Sequence, residues 1–215
     1  MTSDKMRELF LLCKEISQSP VLIQQLITDI EATTQSPLLP RLHALLLSLQ
    51  LADLGLQPDL EDYFLPGHIS YTSIHDTAQL CLCFFALHRG AGIPLHDHPG
   101  MVVLSVVLKG RLRFKLADLV SREKENVFAY RQGETGEITA PGVLALTPAM
   151  GNLHQFVAME DTLMLDVFMP NYSKVRDVSY FIEISDTHLC SFRSTLLNFR
   201  EVPYNGTSLP PAGPE

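Results

Sequence analysis

Two histidines one residue apart, His96 and His98 in "IPLHDHPGM" (93–101), open the list of residues whose types and spacing could do chemistry. In an extended strand positions i and i+2 point to the same face, so both imidazoles can aim at one point, which is half of a metal site. A third donor must come from elsewhere. "TPAMGNLHQF" offers His154 at the opening of another apolar run, just after a Pro and Gly turn. Alone, a His-x-His pair is more often a surface or hydrogen-bonded pair than a ligand pair, so the metal reading depends on what surrounds it. Asp166 is a further candidate, because it stands inside "LMLDVFM", where an unpartnered charge is costly to bury. The competing account for it is a turn or edge position. Cys81 and Cys83 share one strand face and could form a soft-metal or redox pair, although buried free cysteines acting as small apolar residues are the simpler account. His43, His68, His75, His88 and His188 have no motif around them, and His88 is the main competitor as a ligand because it lies close to the first block.

The elements that must position these groups change character along the chain. Up to about Leu56 apolar residues recur at three and four (Leu9, Leu12, Cys13, Ile16; Leu22, Ile23, Leu26, Ile27, Ile30; Leu42, Leu45, Leu46, Leu49), which predicts amphipathic helices. Pro20 and Pro40 fit first-turn positions, and "TTQSP" supplies a loop. After Tyr63 the runs become short and rich in β-branched and aromatic residues. Strands are expected at 78–88, 101–109, 111–120, 126–132, 136–139, 142–148, 153–159, 163–169 and 178–184, as in an antiparallel barrel or sandwich. Lys109-Gly110 reads as a tight turn making Met101 to Leu119 a hairpin. Residues 187–206 read as a short helix and a last strand, and 207–215 as a Pro-rich disordered tail. The expected division is a helical segment at 1–62 packing on a barrel domain at 63–206.

Bulk properties narrow the function classes. The chain has 215 residues, 46% apolar and 19% charged, enough for a substantial core in one domain. A net charge of −8 with scattered Lys and Arg offers no basic stripe, which argues against nucleic acid and anionic membranes as partners. The apolar stretch at Leu9–Cys13 is too short for a signal-peptide core, and charged and polar residues break the most apolar segment. Four cysteines without an export signal then suit reduced thiols in a cytoplasmic protein, and a monomer is expected.

The spacing around the histidines carries more. Gly90 stands six before His96, Gly110 twelve after His98, and the second block runs Gly142, Pro148, Gly151, His154. This resembles the two motifs of the cupin superfamily, G-x5-H-x-H-x4-E-x6-G and G-x5-P-x-G-x2-H-x3-N, and implies a mainly β, cupin-type double-stranded β-helix (jelly-roll) barrel with an N-terminal α-helical layer. Three departures matter: Val103 stands at the glutamate position, Ala158 at the asparagine position, and one extra residue lies between Pro148 and Gly151. A three-histidine site is neutral, unlike the two-histidine-one-carboxylate triad of many Fe(II) oxygenases, and an anionic, soft substrate thiolate would supply the missing charge.

"PLHDHPGM", "GNLHQFVAMEDTLMLDVFMPNY" and "RDVSYF" are together similar to the cysteamine dioxygenase and plant cysteine oxidase family of thiol dioxygenases, over roughly residues 67–184 with a weaker echo at "REVPYNG". The resemblance implies His96, His98 and His154 as ligands of Fe(II), Asp166 as the active-site aspartate, Tyr172 as a tyrosine near the substrate, and Tyr180, in "RDVSYF", as a further catalytic-site residue. Some members link a cysteine covalently to the tyrosine two residues on; here Val178 takes that place, so Tyr180 lacks this route. The implied reaction adds both atoms of O2 to the sulfur of a 2-aminothiol, turning cysteamine into hypotaurine or the N-terminal cysteine of a protein into cysteine sulfinic acid. The rivals are a catalytically silent cupin serving as a binding scaffold, and a cupin using zinc or nickel for isomerisation or hydrolysis.

Overall fold

The computed structural model describes residues 3–32, 36–56, 60–173, 177–193, 197, 199–202, 204 and 209. Three helices form where the three-and-four spacing predicts them: α1 (Asp4–Ser17), α2 (Pro20–Ala32), opening on its proline, and α3 (Leu38–Ser48), with Pro40 in its first turn. Two single 3-10 turns (Leu51–Leu54 and Glu61–Tyr63) lead into twelve strands. These are β1 (Ile69–Asp76), β2 (Cys81–Leu87), β3 (Gly92–Asp97), β4 (Val102–Lys109), β5 (Arg111–Lys124), β6 (Val127–Thr139), β7 (Gly142–Leu146), β8 (Leu153–Ala158), β9 (Thr162–Met169), β10 (Phe181–Ile184), β11 (Leu189–Phe192) and β12 (Phe199–Glu201). One sheet has the order β12-β1-β2-β9-β4-β7 and the other β10-β11-β6-β5-β8-β3, the two-sheet barrel that the motif spacing implies.

The inner strands β2, β4 and β9 of the first sheet are buried on both faces, which is why they read as nearly continuous apolar runs. Strand parity divides the work. Leu82 and Phe84, Val102 and Leu104, and Leu163 and Leu165 join Phe10, Leu26, Leu42 and Leu46 in a core under the helices. The alternate residues Cys83, Val103, Val107, Met164 and Phe168 face the barrel interior and meet Leu112, Phe114 and Phe156 of the second sheet. Asp166 falls on that inner parity.

Several sequence expectations need correction. Met101 to Leu119 is not a hairpin: β4 pairs with β7 and β9, β5 pairs with β6 and β8, and the turn between them passes from one sheet to the other. The turn itself is real, with Gly110 at φ +81 and a Cβ there placed 2.5 Å from the Asp161 carbonyl oxygen. Gly110→Ala therefore combines left-handed strain with a backbone clash, and should cost roughly 2–5 kcal/mol in a denaturation series. The runs at 126–132 and 136–139 are one strand, β6, whose pairing with β5 tolerates register shifts. The start of 187–206 is strand β11 rather than helix, paired to β10 and β6. Strand β1 has no counterpart among the expected runs, because Ser, Thr, His and Asp interrupt its apolar pattern. The 178–184 run is strand only from Phe181, with Tyr180 in an isolated bridge to His96. The tail reading at 207–215 falls outside the described residues except for Leu209, which packs against the core under the helices.

Candidate metal centre

β3 is extended, as the ligand reading requires, and pairs with β8 so that His96 lies directly opposite His154. His98 follows the strand end, where its backbone N–H donates to the Asn152 carbonyl at 3.0 Å. All three side chains are buried, with ring centroids 4.3–4.9 Å apart and one ring nitrogen from each within 4.8 Å of the others. His88 stays outside, with Nδ1 on the Arg89 carbonyl and Nε2 4.0 Å from Asp161. None of the remaining histidines joins the cluster among the described residues.

The turn that delivers His154 is pinned from two sides. Gly151, at φ +69, donates its N–H to Asp118 Oδ1 at 2.6 Å, and Asp118 in turn holds Arg131 at 2.9 Å. The Thr147 hydroxyl accepts the N–H groups of Ala149 and Met150 at 3.2 and 3.0 Å and donates to Glu31 of α2. The extra residue of the second motif is absorbed in this turn, and the helical layer thereby touches the frame of the site.

Hydrogen bonds also fix which nitrogen the His96 and His98 rings present. His96 Nδ1 lies 2.8 Å from the Pro94 carbonyl, which can only accept, so Nδ1 carries the proton and Nε2 keeps its lone pair. His98 Nδ1 is 2.5 Å from the Tyr172 hydroxyl, and that hydroxyl donates to the Asp97 carbonyl at 3.1 Å. The phenol must then accept from His98 Nδ1–H, leaving Nε2 bare. Buried His98 Nε2 and His154 Nδ1 have no protein partner. Burial pushes His96 down to about 4 and His98 and His154 well below the usual imidazole range, so all three rings are neutral near pH 7. Neutral, converging, partly orphaned imidazoles are what a transition-metal site needs, and the residues fit such an ion. Tyr172→Phe removes the acceptor that orients His98 and should weaken metal binding about 10- to 100-fold in a competition titration with a chromophoric chelator.

Where the cupin pattern has glutamate, Val103 is fully buried between Leu146 and Phe168 in register, and the Phe168 ring lies along His98 at 5.6 Å. No carboxylate occupies that position. Asp166 sits one inner-face step further along β9, flanked in register by Cys83 on β2 and Ser105 on β4. It is buried, its Oδ1 has no partner, and burial pushes its carboxyl up to about 7. The edge-position account of Asp166 is thus wrong, since β9 is flanked on both sides.

A cavity of about 310 Å³ joins the three histidines to Asp166, Tyr172 and Tyr180. Tyr180 meets His96 at 5.9 Å between ring centroids, and Val178 lines the same space. Cys81 and Cys83 belong to the wall as well. Both are buried and free, and burial raises Cys81 to about 12 and Cys83 further, which keeps them protonated, as expected of apolar-wall residues. Sequence reasoning missed Asp97, which reads as a mere spacer between the histidines: its Oδ1 accepts the Ser179 N–H at 2.7 Å and straps the Tyr180 segment to β3. It also missed Tyr71, Asp76 and Phe199 in the cavity wall, because β1 and β12 carry no clear periodic signal.

Plant cysteine oxidase 1 of Arabidopsis thaliana is 32% identical over 166 residues, covering 69% of this chain and 56% of the relative. The 2-aminoethanethiol dioxygenase of Homo sapiens is 32% identical over 173 residues, covering 66% and 64%. The chain thus spans less than two thirds of the length of these relatives. The solved structure of KdgF from Halomonas sp. is similar at a TM-score of 0.38 and 23% identity, covering 50% of this chain and 83% of that one. The PCO_ADO family model matches residues 45–198, which takes in both histidine blocks, Asp166 and both tyrosines, and the protein belongs to that family.

Proposed function

We propose that this chain is an Fe(II)-dependent thiol dioxygenase acting on a 2-aminothiol, either cysteamine or the N-terminal cysteine of a peptide. The observation that carries this reading is a buried, neutral three-histidine cluster, with Val103 in place of a fourth, anionic ligand, facing a cavity with carboxylates and, among the described residues, no lysine or arginine in its wall. Held by His96, His98 and His154, iron would supply the redox chemistry that couples O2 to sulfur. The chain's own residues supply the rest. Asp166, with a carboxyl near 7, is suited to take the thiol proton as sulfur becomes anionic. The carboxylate of Asp76, which takes no part in that proton transfer, favours the substrate ammonium. Phe156 and Phe168 keep the sulfur end dry, while Tyr172 keeps His98 in its ligand tautomer. The net change, thiol plus O2 to sulfinic acid, needs no other reductant. Four unpaired buried thiols suit a reducing cytoplasm, and no helix among the described residues is long and apolar enough to cross a membrane.

The test is to incubate iron-loaded protein with cysteamine and, separately, with a Cys-initiated peptide, following O2 uptake and a two-oxygen mass gain. No gain on either substrate with iron bound would reject the reading. Free cysteine brings a carboxylate into a wall that already holds two, so its kcat/KM should fall roughly tenfold or more below that of cysteamine.

A further inference from the structure

The cavity is larger than a two-carbon aminothiol requires: about 310 Å³ corresponds to roughly ten waters at about 30 Å³ each. The surplus leads outward along an aromatic surface. Phe85 stacks on Tyr71 at 6.4 Å, and Tyr71 meets Phe199 edge-on at 5.7 Å. All three rings line the cavity that holds the histidines. Phe199 lies on β12, a three-residue edge strand paired to β1, and is 40% exposed. A single exposed phenylalanine needs no explanation, but one that continues an aromatic wall from a buried metal centre to the rim gives an entering chain an apolar surface to cover. Further along β1 the rim is different in kind, with exposed Ser73 and Asp76.

We propose that Tyr71 and Phe199 read the residue that follows the N-terminal cysteine of a peptide substrate, favouring a large apolar or aromatic side chain. The proposal rests on the peptide branch of the reading above and names the specificity determinants of that site. With the thiol at the histidines and the amine beside the wall carboxylates, a peptide must leave by the rim, and its second side chain is the first group beyond the buried part. That side chain covers Phe199 and is covered by it. An acidic side chain at that position would have to desolvate its charge against an aromatic surface that offers it no partner, and is disfavoured.

Two measurements on the full chain test this. In the first, iron-loaded protein oxidises peptides Cys-X-Gly-Gly with X as Phe, Leu, Gly or Asp. Half-burying a large apolar side chain predicts kcat/KM for Phe and Leu about tenfold above Gly, with Asp lowest. In Phe199→Ala the Phe-to-Gly ratio should fall to about two, and Phe199→Tyr should keep it. In the second, unreactive Ser-Phe-Gly-Gly and Ser-Gly-Gly-Gly are titrated into the same protein by calorimetry, and the Phe peptide should bind about tenfold tighter unless Phe199 is replaced by alanine. Equal oxidation of all four peptides, or a Phe preference that survives Phe199→Ala, overturns the proposal. A change in oligomeric state in Phe199→Ala with an unchanged peptide ratio overturns it too, by making Phe199 a seat for a second copy of the chain. If no Cys peptide is oxidised while the Phe199-dependent binding preference stands, the rim assignment holds and the dioxygenase reading fails.

Discussion

Replacing His154 with alanine should abolish stoichiometric metal binding and lower any thiol oxidation by more than the ~100-fold that losing a mere supporter of a ligand costs, with little loss of fold. The His154 ring sits 4.7 Å from those of both His98 and Phe156 and opposite His96 across β3 and β8, so its removal breaks the cluster at the strand that the second motif delivers. Two histidines on one short segment cannot close a three-point site, and Val103 and Phe168 offer no replacement donor. The fold should tolerate the change, because the turn before it is fixed by Gly151, Asp118 and Thr147 rather than by the imidazole. Ring removal leaves a void, but it also removes a buried nitrogen with no protein partner. Metal binding to the native state alone stabilises by about 4 kcal/mol at a thousandfold excess over Kd. The decisive measurement is therefore the rise in Tm on adding Fe(II) anaerobically, or Zn(II) in air, beside metal analysis of the purified protein. The wild-type protein should rise by several degrees and His154→Ala should not. An equal rise in both would place the metal elsewhere.

The three-histidine cluster was legible because its geometry is local. His96 and His98 share a face by strand parity alone, and His154 announces itself through the Pro148 and Gly151 turn. The continuous apolar runs of β4 and β9 likewise betray strands buried on both faces. Which face serves which core was not legible, since the helical layer covers one side and the second sheet the other, and the polar Ser105 and Asp166 alone mark the inner parity of β4 and β9. The hairpin error at Lys109-Gly110 has the same root. A tight turn between two strands ordinarily joins neighbours, but β4 finds its partners in β7 and β9, distant in sequence, and the turn becomes a corner between sheets. The rim went unseen because β12 is three residues long and β1 mixes polar and apolar positions. Asp97 hid in plain view: between the two histidines it reads as spacing, while its side chain turns away to hold the Tyr180 segment.

Asp166→Asn should separate the catalytic and structural demands on that carboxyl. Asparagine keeps the shape and cannot accept the thiol proton, so kcat/KM should fall about 100- to 10,000-fold, the usual worth of a positioned general base. The same substitution should stabilise the metal-free protein at neutral and higher pH. Burial raises the Asp166 carboxyl to about 7 in the fold, against an ordinary value near 4 in the unfolded chain. The folded state therefore binds this proton more tightly. The stabilisation this gives is complete below about pH 4, and is lost as the pH climbs to about 7, a span worth at most about 4 kcal/mol. The asparagine side chain does not titrate, so the difference in stability between variant and parent should grow in the variant's favour from pH 4 to pH 7 and then level off. Asp97, raised to about 6, titrates in the same direction but in both proteins, and cancels in the difference. A divalent cation in the shared cavity favours the ionised Asp166, so adding metal should lower the pH at which this difference develops and reduce its plateau. Urea midpoints at several pH values, with and without metal, measure this. A difference that is flat across pH 4–8 in the metal-free proteins would mean that the Asp166 carboxyl is not raised by burial, and would remove the basicity on which its role toward the thiol proton rests.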